Sequence, residues 1–223
     1  MKKFVTIASL ALNALVIAAV AWVLAGPGRR ALLRSFIEPA QARRISTFET
    51  FPVAPGDIVF LGDSITEGGA WDEMFAGRPV RNRGIGGDTS AGVLARTDAI
   101  ARAKPARVFV LIGTNDLFVG APRDEIAANV GEILARIASE SAGTKLFVQS
   151  VLPRAASYRA EVEALNARLE VVARERGATW IDLYPTFLDP ATGAIRSSLS
   201  NDELHLLGPG YALWRQAIAE HVE

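Results

Sequence analysis

Ile58-Val59-Phe60-Leu61-Gly62-Asp63-Ser64-Ile65-Thr66 decides how this chain folds. Four apolar residues in a row, with nothing polar between them, fit a β-strand covered on both faces. The run stops at a glycine, and a carboxyl and a hydroxyl follow at the strand's carboxyl end. The pattern recurs: strands are predicted over 58–61, near Val80, and over 108–112, 146–151 and 179–183. Between them Ile126, Val130, Ile133, Leu134 and Ile137 fall at helical spacing behind Pro122, with Asp124 and Glu125 in the first turn. Val162, Leu165, Leu169 and Val172 repeat the stripe up to a stop at Gly177, and a last helix is predicted from near Pro209 through Trp214 and Ile218. Alternation of this kind specifies an α/β domain with a parallel five-stranded sheet. Ligands bind such a sheet beyond the carboxyl ends of its strands.

Outside this domain, 57–223, little length remains. A chain of 223 residues with 50% hydrophobic residues buries one sizeable core. Residues 4–26 are almost wholly apolar and uncharged, and as a helix would reach about 34 Å, enough for a bilayer's ~30 Å hydrocarbon core. The expectation is a membrane anchor over 1–30, continued past Trp22 into a Gly-Pro-Gly-Arg-Arg stop. The rival is a signal peptide, since Ala19-Val20-Ala21 resembles a cleavage site; cleavage of residues 1–21 would make the protein secreted. The expected topology puts 57–223 on the extracytoplasmic side, although Lys2 and Lys3 oppose Arg29, Arg30 and Arg34 under the positive-inside rule. Residues 31–56 read as a juxtamembrane linker with a short helix over 31–37.

All four charged side chains in residues 1–30 are basic, which leaves 20 basic against 24 acidic groups in the remainder, a net of −4. That balance argues against a nucleic-acid partner. The absence of cysteine removes disulfides, thiolate catalysis and Cys-based zinc sites. Of two histidines, His221 lies near the end of the chain in a turn expected to fray, so a His-rich metal site is not expected.

Four motifs sit at the predicted strand ends. In 60–66, Asp63 or Ser64 taken alone fits a helix cap at least as well as a functional group. Asn82-Arg83-Gly84-Ile85-Gly86-Gly87-Asp88-Thr89 is dense in glycine but lacks nucleotide-binding spacing; alone it reads equally as a tight turn. Gly113-Thr114-Asn115-Asp116 is equally a turn or a site where an Asn amide donates to a developing oxyanion. In Asp202-Glu203-Leu204-His205, the carboxylate three residues ahead could hold the histidine's tautomer, although a surface histidine beside an acid is the commoner meaning of such a piece.

Together, in this order, the four motifs resemble the signature blocks of the SGNH (GDSL-like) hydrolase family, centred on Ser, Gly, Asn and His, over about residues 57–220. The Ile85-Gly86-Gly87-Asp88-Thr89 form is especially similar to platelet-activating-factor acetylhydrolase-like and carbohydrate acetylesterase-like members. Gln149-Ser150-Val151-Leu152-Pro153 and Gly210-Tyr211-x-x-Trp214 are supporting matches. The resemblance implies a three-layer α/β/α flavodoxin-like sandwich. It implies Ser64 as nucleophile, Asp202 and His205 completing a triad, and an oxyanion hole from the N–H groups of Ser64 and Gly87 and the side chain of Asn115. It implies no metal or organic cofactor. Glu203 departs from the small residue that many relatives carry there.

The expected activity is hydrolysis of short acyl esters, acetyl foremost, through an acyl-enzyme. The alternatives are an envelope O-acyltransferase acting on a glycan and a catalytically dead glycan-binding module. Asp63, Trp71, Leu117 and Leu204 are the expected substrate contacts, with Phe118 a further apolar candidate and Arg83 and Glu203 on the rim. The expected partners are a small acyl ester, on a carbohydrate or lipid, and the membrane through 4–26. Oligomeric state stays open.

Overall fold

The computed structural model describes residues 2–24 and 27–223, with side chains for Ser9, 11–22 and 37–223. Residues 1–45 and 46–223 form separate compact units. In the second, all five predicted strands form: β1 Ile58–Gly62, β2 Val80–Gly84, β3 Arg107–Leu111, β4 Lys145–Gln149 and β5 Thr179–Ile181. Every pairing is parallel, and the order β2-β1-β3-β4-β5 reverses direction between β1 and β3. That switch point opens a crevice at the carboxyl edge, beside the end of β1.

Alternation along the strands sends successive side chains to opposite faces. Val59, Leu61, Val108, Val110, Leu146 and Val148 share one core with helices α5 (Ser90–Ala95), α6 (Thr97–Ala103), α8 (Arg123–Glu140) and α9 (Arg159–Glu175). Phe60, Phe109 and Phe147 face the other way and are register partners across β1, β3 and β4. Their rings stack at 5.0 and 4.4 Å between centroids. This second core is closed by α4 (Trp71–Met74), α10 (Tyr184–Phe187) and α11 (Gly208–Val222). Two short helices complete the domain at the carboxyl edge, α3 (Ser64–Glu67) and α7 (Thr114–Val119).

β4 and β5 end two residues earlier than the sequence predicts, whereas β1 runs one residue further, to Gly62. Beyond β4, the N–H and C=O of Val151 are both taken by the Asn166 side chain, at 2.8 and 2.9 Å, so the backbone leaves the ladder. Beyond β5, the N–H of Tyr184 turns to Ser150 Oγ at 2.8 Å. The chain end does not fray: α11 buries Trp214, Ile218 and Val222 along one stripe, and the His221 ring lies 5.1 Å from Phe147.

Trp71, expected to line the site, is a core residue, only 1% exposed. Its ring stacks on Phe60 at 3.8 Å, takes Trp214 edge-on at 4.8 Å, and its indole N–H reaches Thr66 O. The apolar strand run places Phe60 inward, and the largest aromatic nearby covers it.

Ahead of the sheet, α1 spans Lys2–Leu24 and α2 spans Pro27–Thr50, so the short helix and linker expected over 31–56 are instead largely one helix. Among the described residues no helix is long and apolar enough to cross a membrane. The expected span 4–26 lies partly outside them, and its continuous run of described side chains, 11–22, covers only about 18 Å.

Trp71→Ala should destabilise the full chain by about 3–5 kcal/mol in urea unfolding. A shift in KM at unchanged stability would instead mark the ring as a wall of the site.

Candidate active site

The first side chain of the site is delivered by a sharp strand-to-helix turn. Asp63 caps α3, its Oδ1 accepting the N–H of Ile65 at 2.9 Å, which leaves Ser64 at the first helical position. An N–H there has no acceptor within its own helix. Asp63 is wholly buried, and burial pushes its carboxyl up to about 7 while Oδ2 finds no partner. It therefore supports the turn from inside rather than contacting substrate.

The last loop meets this turn from the far end of the chain. Ser64 Oγ lies 2.9 Å from His205 Nε2, and His205 Nδ1 lies 2.7 Å from Asp202 Oδ2. The ionised Asp202 only accepts, so Nδ1 carries the proton and Nε2 is left to accept from Ser64. Asp202 Oδ1 takes the N–H groups of Leu204 and His205 at 3.0 and 2.7 Å, helped by the left-handed turn at Glu203, φ 60°. The hydrogen bond from His205 holds the Asp202 carboxyl down to about 2, so it remains charged at neutral pH. Buried Ser200 ties the loop, its Oγ accepting from Leu204 N and donating to Asp202 Oδ1.

Glycine brings the second block close. Gly84 sits where a Cβ would lie 2.1 Å from Glu67 N, so only glycine lets β2 pass α3. Ile85–Asp88 forms a turn closed by Asp88 N to Ile85 O, and Gly87 takes the required positive φ of 72°. The N–H of Gly87 has no partner among the described residues, whereas that of Gly86 is held by Glu67 Oε2 at 2.6 Å. From the third block, Asn115 Nδ2 donates to Asp88 O at 2.9 Å, which spends one of its two amide protons.

Behind these groups lies a polar scaffold. The Arg96 guanidinium, 13% exposed, donates to Gly62 O at 3.0 Å, Arg83 O at 2.8 Å and the Asp88 carboxylate at 3.0 Å. Asp116 takes the N–H and Oγ–H of Ser90, fastening α7 to the start of α5. Burial raises the carboxyls of both Asp88 and Asp116, for Asp88 against the pull of Arg96. Tyr211 OH reaches Ile65 O at 2.8 Å and fixes α11 to the Ser64 turn.

Ser64, His205 and Asp202 thus meet, with Asn115 bound to the glycine turn. Of the remaining expected contacts, Leu117 and Arg83 are corrected, whereas Leu204, Phe118 and Glu203 keep exposed surface. Leu117 is buried in the core, and Leu204 is half-buried against the second core. Arg83 is not on the rim: it is buried, donates to Phe51 O and lies under the Phe48 ring at 4.6 Å. Phe118 and Glu203 are exposed. Arg96 and Ser200 escape sequence reading, because much of their bonding is to backbone atoms, Gly62 O and Arg83 O for the one and Leu204 N for the other, which leave no mark on the sequence. Among the described residues no cluster of three or more His, Asp or Glu is arranged to hold a metal ion.

The sequence model of the GDSL-like lipase/acylhydrolase family matches residues 60–213. The human platelet-activating factor acetylhydrolase IB subunit alpha2 is 31% identical over 166 residues, 70% of this chain and 71% of its own. A GDSL-like lipase structure from Bacteroides thetaiotaomicron has a TM-score of 0.73 at 25% identity, covering 82% of this chain and 97% of that one. An acetyl xylan esterase shares the fold at a TM-score of 0.64 and 20% identity, over 75% of this chain and 100% of that one. With the matched stretch opening inside the strand that delivers Ser64 and closing inside the helix that braces it, the chain belongs to the GDSL-like lipase/acylhydrolase family and is a carboxylic ester hydrolase.

Proposed function

We propose that the protein hydrolyses short-chain acyl esters, acetyl foremost, through a Ser64 acyl-enzyme. The unbroken hydrogen-bonded chain from Ser64 through His205 to Asp202 carries this reading. Ser64 Oγ attacks the ester carbonyl as its proton passes to His205 Nε2, and Asp202 stabilises the resulting imidazolium. The carbonyl oxygen, now negative, is received by the N–H groups of Ser64 and Gly87 and the second amide proton of Asn115. On collapse the C–O bond to the alcohol breaks and the alcohol leaves with the proton from His205. Water then repeats the sequence on the acyl-enzyme and restores Ser64.

The short-chain preference is supported by what surrounds the serine. The His205 and Asp202 side chains are 46% and 48% exposed, and Trp71 and Leu117 are core residues rather than walls. Each buried CH₂ contributes only about 0.8 kcal/mol and must be shielded from water to do so. An open site with Phe118 and Leu204 as its apolar neighbours offers a long chain little shelter.

Attachment to a membrane through residues 4–26 is proposed as well. Leu12, Leu15, Val16, Ile17, Val20 and Trp22 are all more than half exposed or close to it, an apolar surface that demands cover.

Ser64→Ala, His205→Ala and their double variant should each lose about the same factor, several thousandfold or more, because the members act as a unit. Asn115→Ala should lower kcat about a hundredfold with little change in KM. Near-normal turnover by His205→Ala would overturn its role as base. Across p-nitrophenyl esters from acetyl to palmitoyl, kcat/KM should be highest between acetyl and butyryl; a rise beyond octanoyl would refute the short-chain reading. Full-length protein should sediment with membranes and resist high-salt washing, while a chain lacking residues 1–30 stays in the supernatant. Recovery of a mature chain beginning near Trp22 would replace the anchor with a cleaved signal.

A further inference from the structure

Arg154 follows the segment that carries the chain off β4 at the carboxyl edge of the sheet. Its Nη1 donates to Thr114 O at 3.1 Å and Thr114 Oγ1 at 3.2 Å, so the guanidinium is fixed beside the residue preceding Asn115. Its Cζ lies 4.0 Å from the Tyr158 ring centroid and 5.9 Å from that of Phe118, which is 43% exposed. No carboxylate pairs with it among the described residues, and its Nε is buried without a hydrogen-bond partner.

A cation held in this way is in electrostatic deficit. Desolvation by its surroundings pulls Arg154 below the usual range of a guanidinium, and Tyr158 and the Asp63 carboxyl push back only in part. Asp63 is itself pushed up to about 7 by burial and is incompletely ionised at neutral pH. A half-buried charge with no counter-ion among the described residues is costly. Three other arginines of the domain do pair with a carboxylate: Arg123 with Glu161, Arg136 with Glu132 and Arg159 with Glu163. The bonds to Thr114 put the Arg154 charge beside Asn115, whose amide reaches the glycine turn.

We infer that Arg154 is a specificity-determining residue that receives an anionic group, a carboxylate or phosphate, on the alcohol portion of the ester. This rests on the esterase reading above: an acetyl group has no room for a charge, so the anion must lie on the leaving alcohol. The guanidinium offers a planar donor array suited to such oxyanions, and the flanking rings keep it oriented. A charge-assisted hydrogen bond of this kind corresponds to about a ten- to hundredfold preference.

The test compares 3- and 4-acetoxybenzoate with the corresponding acetoxybenzamides, each normalised to its hydrolysis by hydroxide. The full-length protein should favour the anionic members by at least about tenfold in kcat/KM, mainly through KM, and the preference should shrink as salt is raised. In Arg154→Gln the anionic-to-neutral ratio should fall to about one, and Arg154→Lys should restore part of it. Competition by benzoate against benzamide in the unaltered protein reads the same preference without any variant, so misfolding of Arg154→Gln does not shield the inference. A ratio near one in the unaltered protein, or one that survives Arg154→Gln, overturns it. If p-nitrophenyl acetate is cleaved while that ratio is one, only the role of Arg154 fails; if no ester is cleaved, the esterase reading and this inference fall together.

Discussion

The Arg96 guanidinium holds the site together. One largely buried cation bonds the last carbonyl of β1, a carbonyl at the end of β2 and the carboxylate of Asp88. Three segments that would otherwise end independently at the sheet edge are thereby fixed relative to one another. Asp88 O receives the Asn115 amide, so the same cation also sets the third block through the backbone of the second. Burying a guanidinium is tolerable only when its donors are met, and here both carbonyls and a carboxylate meet them.

The proposed chemistry would inherit its geometry from this frame. Oxyanion stabilisation depends on donors that are already in place before charge develops, because reorientation during the reaction would consume the gain. Ser64 N–H is held by the helix start, Gly87 N–H by a turn that needs a positive φ, and the Asn115 amide by its bond to Asp88. Around the serine the aromatic side chains go instead into the core, where Phe60, Trp71 and Trp214 stiffen the layer beneath the nucleophile's turn. The consequence is an open site, with His205 and Asp202 about half exposed. Recognition at such a site must come from polar and charged neighbours more than from apolar enclosure.

Parallel pairing, strand number and the three long helices of the domain, α8, α9 and α11, were legible because each is encoded locally. An unbroken apolar run such as 58–61 can only be a strand covered on both sides, and a stripe such as Ile126, Val130, Ile133 and Ile137 can only pack one helical face. The strand ends were less legible, since the Asn166 side chain that draws Val151 off the ladder lies 15 residues away. The buried fates of Leu117 and Arg83 were likewise hidden, because a residue near a motif in sequence can face either side of a turn.

By itself the sequence determined the α/β class, the serine at the carboxyl end of the first strand and the four ordered blocks. These follow from periodicity and from residue types whose chemistry does not depend on context. Only the tertiary structure decided that His205 meets Ser64 across 141 positions, that Trp71 belongs to the core, that Arg96 ties three segments and that Arg154 is held by Thr114 with no carboxylate partner among the described residues. The physical reason is the same in each case. Side chains that bond distant backbone atoms or stack on distant rings are selected by where the folded chain brings them, and nothing in their own neighbourhood of sequence records the partner.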